Sequence, residues 1–179
     1  MLFLSDRKQR KQYERFIRPH VDALYSLACR LSGNPHDAED ITQDLLVKLF
    51  DQSGKLYALD NPKPYLMRAL YNQYVDYMRK QGRHLNNRDS DVDNELASPE
   101  SAHATPEIAA DADLSAERLD AALARLSDDH RAIILLHDAE GFTFDEISDM
   151  LQIPKGTAKS RHNRARRALQ TSLARGGAP

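Results

Sequence analysis

The chain has 179 residues, of which 41% are apolar and 7% aromatic, and it contains no tryptophan. It carries 27 Asp and Glu against 25 Lys and Arg, so its formal net charge at pH 7 is −2. The one cysteine, Cys29, excludes an intramolecular disulfide and a multi-cysteine metal site, and no apolar run is long enough for a signal peptide or a membrane span. These properties predict a cytoplasmic protein with small aliphatic cores and no membrane insertion.

Two amphipathic helices are predicted first. Apolar side chains recur every three or four residues between positions 13 and 31, which is the pattern of a helix with one buried face. Gly33 can end this helix in the left-handed conformation. Asn34 can then cap a second helix that has Pro35 at its first position and continues to about residue 51.

A loop, a third helix and a linker follow. The segment 52–63 breaks the apolar pattern and is predicted to be a loop, and the third helix opens around Pro62 to Pro64 and runs to about Gly82. Residues 89–117 hold nine acidic residues, two prolines and no Lys or Arg. This composition favours a flexible acidic linker between two folded parts, and the alternative is an acidic surface loop within one domain.

Helical signals resume after the linker. Ser115 and Ser127 can each cap a helix. Thr143, followed three residues later by Glu146, is a capping box that begins a short helix. A tight turn and Pro154 lead into a longer final helix, and this succession is typical of a helix-turn-helix.

The final helix concentrates positive charge. From Ile153 onward the chain has seven basic residues and no acidic one. At about 100° per residue, one narrow arc forms an inner stripe that can pack on the shorter helix: Ala158, His162, Ala165 and Leu169. The opposite, outward face is polar and cationic and comprises Gly156, Ser160, Asn163, Arg164 and Arg167, with Lys159, Arg161 and Arg166 along its flanks.

This outward face has the side chains that read a major groove, because Arg and Lys pair with guanine, Asn pairs with adenine, and flanking cations contact phosphates. The alternative is a solvated basic helix end that the helix dipole favours. The capped preceding helix and the lack of acidic residues favour DNA binding. His162 is predicted to be a packed histidine, and the other six histidines lack metal-ligand spacing along a helix, so no metal site is predicted.

Three segments resemble bacterial sigma factors of the extracytoplasmic function (ECF) type. GFTFDEISDMLQIPKGTAKSRHNRARRAL is similar to the region 4 helix-turn-helix of that family, GNPHDAEDITQD to its region 2.2, and YLMRALYNQYVDYMRK to its regions 2.3 and 2.4. The resemblance implies an all-α fold of two small helical domains. A region 2 bundle would occupy residues 1–85, a flexible acidic linker residues 86–113, and a region 4 helix-turn-helix residues 114–179.

The resemblance also implies which residues bind. Core RNA polymerase, with its β′ and β subunits, would contact a polar face made of Glu39, Asp40, Gln43 and Asp44. The melted −10 element would contact Asn72, Asp76, Arg79 and Lys80, and the loop 52–63 would capture a flipped base. The −35 element would contact Arg131, Lys159, Ser160, Arg161, Asn163, Arg164 and Arg167.

The sequence departs from the family pattern at a few positions. Tyr65 stands where the family usually has Trp, which keeps an aromatic side chain. Ala158 and His162 replace larger aliphatic residues on the inner stripe, which predicts looser packing there.

The resulting prediction is a non-enzymatic sigma subunit without a cofactor, with promoter DNA and a separate anti-sigma factor as further partners. One alternative is a dimeric helix-turn-helix regulator of an operator, which would bind DNA as two copies without polymerase. Another is a protein-only adaptor whose basic helix meets an acidic partner, and steeply salt-dependent DNA binding would argue against it.

Overall fold

The computed structural model describes residues 2–82 and 112–176, and in those ranges the secondary structure is entirely helical. The chain separates into two compact units, Met1–Arg83 and His84–Pro179. The all-α prediction is therefore confirmed. The predicted linker, 86–113, lies almost entirely outside the described residues. Within the described ranges, no helix is both long and apolar enough to cross a membrane.

Within residues 2–82, the helices are α1 (Leu2–Ser32), α2 (Pro35–Asp51), the single-turn α3 (Ser53–Leu56) and α4 (Lys63–Lys80). The three long helices pack against one another in every pairing, so they enclose a single core. That core is mainly aliphatic, as the composition predicted. Its largest fully buried side chains are Leu24, Leu27, Leu31, Ile41, Leu56, Leu66, Met67, Leu70 and Tyr74.

The junction between α1 and α2 follows the local signals in the sequence. Gly33 has a φ of 67°, a left-handed conformation that a glycine adopts without the Cβ penalty. The side chain of Asn34 accepts a hydrogen bond from the backbone N–H of His36 at 2.9 Å, and Pro35 opens α2. The predicted cap is therefore confirmed.

The segment after α2 is partly helical, which the prediction of a loop over 52–63 missed. Ser53 and Leu56 are buried, and Leu56 has no exposed surface. Burying such a leucine contributes about 1.5 to 3 kcal/mol, enough to hold one helical turn against the core. One buried leucine in a segment this short leaves no periodic signal in the sequence. Tyr25, which the apolar spacing of α1 would place inside, is 40% exposed.

Within residues 112–176, the helices are α5 (Ala112–Ala124), α6 (Asp128–Ile134), a π-helical turn (Leu135–Ala139), α7 (Phe144–Leu151) and α8 (Lys155–Gly176). Helix α8 packs against α5, α6 and α7, so the other helices of the unit support it. The side chains at the centre are fully or almost fully buried and include Ile133, Leu136, Ile147, Ala158 and Ala165.

The helix-turn-helix is built from a capping box and a left-handed turn. The backbone N–H of Thr143 donates to the Glu146 carboxylate at 2.8 Å, and the N–H of Glu146 donates to the Thr143 hydroxyl at 3.3 Å. This confirms the capping box at the start of α7. At its end, Gln152 has φ 55° and ψ 43°, which turns the chain sharply into α8.

Candidate functional site

Helix α8 has an inner stripe and an outward face, as its spacing predicted. Ala158 and Ala165 have no exposed surface, and His162 is 5% exposed. Leu169, the fourth residue of the stripe, is half-buried. The exposed residues of the helix include Gly156, Lys159, Ser160, Asn163, Arg164, Arg166 and Arg167. The alanines let α8 lie close to its neighbours, so packing fixes the direction in which the exposed side chains point.

His162 is held by a polar partner as well as by packing. Its Nε2 lies 2.9 Å from Oδ1 of Asp138 in the π-helical turn. Its ring meets His137 edge-on, with 4.6 Å between centroids, and it meets Phe144 at 5.4 Å. A buried polar group costs stability unless it is hydrogen-bonded, and Asp138 supplies that bond. This contact joins α8 to the π-helical turn that follows α6.

The same residues form a cluster that the sequence did not predict. Candidate ligand atoms of His137, Asp138 and His162 lie within 4.8 Å of one another, although no metal site was expected from the spacing of the histidines. Nδ1 of His137 lies 2.7 Å from the carbonyl oxygen of Phe142, and Nε of Arg166 lies 3.8 Å from Oδ2 of Asp138. Each histidine of the cluster therefore has one hydrogen-bonded ring nitrogen, and Asp138 lies between His162 and the Arg166 guanidinium.

Arg161 is directed toward α6. Its guanidinium lies 3.0 Å from the Asp129 carboxylate, and the two side chains are only 16% and 22% exposed. Burial raises the pKa of Asp129, and the positive charge of Arg161 offsets part of that rise. Burial also lowers the pKa of the adjacent His130, and Arg161 and Arg164 lower it further. The positive charges of α8 therefore shift the pKa values of side chains in α6 as well as contributing to the exposed surface.

Arg131 lies in the core of the second unit rather than on its surface. It is 8% exposed, and its guanidinium donates to the carbonyls of Leu123 at 3.0 Å, Ala124 at 3.3 Å and Leu126 at 3.1 Å. The carbonyls at the end of a helix have no partner within that helix. Arg131 donates to two of those at the end of α5 and to Leu126 just beyond it, and its guanidinium also lies 3.6 Å from the Asp128 carboxylate, so Arg131 joins α5 to α6.

The acidic face of α2 is exposed and continuous. Glu39, Asp40, Gln43 and Asp44 follow a spacing of one, three and one residues, which places them on one side of the helix. All four are exposed, and the amide of Gln43 donates to the Glu39 carboxylate at 3.0 Å. This surface can therefore accept hydrogen bonds and cations from an outside partner.

Two residues of α4 contact this acidic face. The Tyr77 hydroxyl lies 2.9 Å from Oδ1 of Asp37 and 3.4 Å from Oδ2 of Asp40. The amide of Gln73 donates to Oδ2 of Asp44 at 3.2 Å. Burial raises the pKa of Tyr77, and the hydrogen bond to Asp37 raises it further.

The exposed side of α4 carries a second set of polar residues. Asn72, Asp76, Arg79 and Lys80 are all exposed and lie at helical spacing. Arg79 and Asp76 approach to 3.9 Å with side chains 63% and 56% exposed. An exposed pair at this distance contributes little to stability, so these side chains stay available to a ligand.

Comparison with known proteins identifies the family. Residues 16–84 match the family model "Sigma-70 region 2", and residues 116–169 match "Sigma-70, region 4". The chain is 31% identical over 158 residues to the ECF RNA polymerase sigma factor SigL of Mycobacterium tuberculosis, and the match covers 86% of this chain and 84% of SigL. The chain belongs to the ECF sigma factors.

Two further relatives agree. The ECF sigma factor SigE of Mycolicibacterium smegmatis is 34% identical over 175 residues; the match covers 96% of this chain but only 65% of SigE. The solved structure of the sigma factor RpoE from Bartonella quintana, in complex with the anti-sigma factor NepR, is 29% identical with a TM-score of 0.65. That match covers 92% of this chain and 98% of RpoE.

In this ECF sigma factor, the first unit contains sigma region 2 and the second contains the region 4 helix-turn-helix. A sigma factor is a non-enzymatic subunit that directs transcription initiation by RNA polymerase. Sequence reasoning missed the contacts of Tyr77, Gln73 and Arg131. Spacing along one helix could not reveal them, because each contact joins different helices.

Proposed function

We propose that this ECF sigma factor binds core RNA polymerase through the acidic face of α2. Glu39, Asp40, Gln43 and Asp44 are exposed together on one side of the helix, where they suit a basic or hydrogen-bonding partner. The resemblance of this segment to region 2.2 supports the choice of these positions. The β′ subunit is the proposed partner of this face, and the β subunit is a further proposed partner within the core.

The −10 element is the proposed ligand of α4. Asn72, Asp76, Arg79 and Lys80 offer hydrogen bonds and positive charge on an exposed helix face. The neighbouring segment 52–63 contains Tyr57 and the exposed Leu59. Aromatic and Arg side chains suit an unpaired strand because bases can stack on them.

The −35 element is the proposed ligand of α8. The observation that carries this proposal is the division of the helix into a buried stripe and an exposed face with Lys159, Ser160, Asn163, Arg164 and Arg167. Arg161 is paired with Asp129, so it adds positive charge at the flank rather than a base contact. Arg131 is left out of the proposed DNA-contacting residues because it is buried and its guanidinium donates hydrogen bonds to the last carbonyls of α5.

The comparison with RpoE also supports a proposal about regulation. RpoE of Bartonella quintana was crystallised with an anti-sigma factor, NepR. A separate anti-sigma protein is therefore the proposed inhibitor of this chain, and the cytoplasm, where polymerase is found, is its proposed location.

The test of polymerase binding is charge reversal on α2. Replacing both Asp40 and Asp44 by Lys should lower the affinity for core polymerase by at least about tenfold, because two charge-assisted contacts become repulsive. Affinity is measured by titrating labelled protein with core polymerase. The matched control reverses Glu14 and Asp22, which are exposed on α1. Equal core affinity of the two folded double variants would contradict the assignment.

A further inference from the structure

Gln73 and Tyr77 lie one turn apart on α4 and reach across to the acidic face of α2. Tyr77 contacts Asp37 at 2.9 Å and Asp40 at 3.4 Å through its hydroxyl. Gln73 contacts Asp44 at 3.2 Å through its amide nitrogen. Two residues spaced by four on α4 therefore meet carboxylates spaced by three and four on α2.

The orientation of Gln73 is fixed at both ends. It is 4% exposed, its Oε1 accepts from Nζ of Lys48 at 2.5 Å, and its Nε2 donates to Asp44. Because only the nitrogen can donate, the amide cannot flip without losing both contacts. A buried amide held in this way presents a fixed donor to Asp44.

These contacts restrain the carboxylates of Asp40 and Asp44. Asp37, Asp40 and Asp44 lie within two turns of one helix and repel one another. Gln73 donates to one oxygen of Asp44, and Asp37 and Asp40 share the single hydrogen of the Tyr77 hydroxyl, which reduces that repulsion and limits side-chain rotation. Asp40 and Asp44 each have a second oxygen for an outside partner, and both remain exposed.

We propose that Gln73 and Tyr77 are positioning residues that hold Asp44 and Asp40 in the conformation that binds core polymerase. The inference rests on the proposed function of the α2 face. An interface side chain that is already ordered loses less conformational freedom on binding, so the restraint raises affinity without touching the partner. Helix α4 thereby supports the polymerase contact with one side while its exposed side carries the proposed −10 residues.

The first measurement is core polymerase affinity of the full chain with Tyr77→Phe, which removes only the hydroxyl. We expect affinity to fall by about threefold to tenfold, the range that the loss of one hydrogen bond produces. Tyr65→Phe is the matched control on the same helix, because the Tyr65 hydroxyl faces Gln52 at 3.4 Å and not an α2 carboxylate. Equal affinities of the two variants would overturn the proposal for Tyr77.

A second variant, Gln73→Glu, tests the other contact with an isosteric change. It keeps an oxygen for Lys48 but places a second carboxylate 3.2 Å from Asp44, which should turn that side chain away. Core affinity should fall at least as much as in Tyr77→Phe. Melting temperatures of both variants establish that region 2 remains folded, and undiminished affinity of folded Gln73→Glu would overturn the proposal for Gln73.

A double-mutant cycle separates positioning from a general effect on the fold. If Tyr77 acts through Asp40, Tyr77→Phe should have little further effect on core affinity once Asp40→Asn is present. Full additivity of the two substitutions would overturn the inference while leaving the polymerase surface intact. If Asp40→Asn and Asp44→Asn themselves leave core affinity unchanged, the proposed surface is wrong and the inference falls with it.

Discussion

The two arginines Arg164 and Arg166 have different positions on α8 despite their closeness in sequence. Arg164 lies beside Ser160 and Asn163 on the exposed face. Arg166 lies at the flank, with its Nε 3.8 Å from Asp138. A side chain at the centre of the face reaches base edges, whereas a flanking one reaches phosphates.

Arg164→Ala should reduce discrimination at one base position of the −35 element by about 1 to 3 kcal/mol. Arg166→Ala should instead weaken binding equally on all sequences and reduce its salt dependence, because a phosphate contact and its counterion release are lost. Affinities for matched and single-base-substituted duplexes at several salt concentrations distinguish the two. A uniform loss in both variants would contradict this assignment of faces.

Arg131 provides a prediction about stability rather than recognition. Arg131→Met should lower the free energy of unfolding of the second unit by about 2 to 4 kcal/mol, because the carbonyls of Leu123, Ala124 and Leu126 each lose the hydrogen bond that the guanidinium donates. Arg131→Lys should recover part of the loss, since a single ammonium cannot replace the forked guanidinium. Hydrogen exchange at the amides of α5 and α6 measures the change. If Arg131→Met has unchanged stability but a weaker affinity for DNA, Arg131 belongs among the proposed DNA-contacting residues.

At the scale of elements, the features that could be predicted are those formed by residues close together in the sequence. The cap at Asn34 and the capping box at Thr143 and Glu146 involve residues at most three positions apart, so the sequence contains the whole signal. Contacts between distant residues left no such signal. His162 and Asp138 are 24 residues apart, and Tyr77 and Asp37 are 40 apart. Only the packing of helices brings these pairs together.

The residues of the candidate sites also differ in how far the sequence predicts them. The inner stripe and outward face of α8 follow from helical period, and the structure confirms the burial of Ala158, His162 and Ala165. The period does not reveal that Asp129 engages Arg161, because Asp129 belongs to α6. The short helix α3 was missed for a related reason, since a single buried leucine has no period.

The turn between α7 and α8 offers a test of a backbone conformation. Gln152 is the only non-glycine residue with positive φ among the described residues, and its side chain donates to the carbonyl of Asp149 at 2.6 Å. Gln152→Gly should stabilise the second unit by about 0.5 to 1 kcal/mol, because relief of the left-handed strain exceeds the loss of that exposed bond. Chemical denaturation followed by circular dichroism measures the change in stability. Gln170→Gly, at an exposed position within α8, is the control and should lower the stability, because glycine is unfavourable inside a helix.

At the scale of the whole molecule, the two units have separate cores and differ in their tyrosine content. All seven tyrosines lie between positions 13 and 77, in the first unit, and the chain has no tryptophan. Tyrosine fluorescence therefore reports on region 2 alone.

Leu24→Ala should shift the tyrosine-monitored unfolding of region 2 by about 2 to 5 kcal/mol, because Leu24 is fully buried in α1. Arg131→Met should leave that transition in place. Parallel denaturation curves, recorded by tyrosine fluorescence and by hydrogen exchange in α8, test this independence. A shared shift of both signals in either variant would show that the units unfold together.

The separation of buried and exposed residues on α8 has a consequence for the evolution of such proteins. Substitutions at exposed helix positions usually change stability by less than about 0.5 kcal/mol. Ala158 and Ala165 are fully buried, and a larger side chain forced into a packed core typically costs about 1 to 3 kcal/mol. Descendants of this chain can therefore exchange Ser160, Asn163 or Arg164 without passing through an unstable intermediate. If α8 binds the −35 element as proposed, a new preference for that element requires few changes, all on one side of the helix.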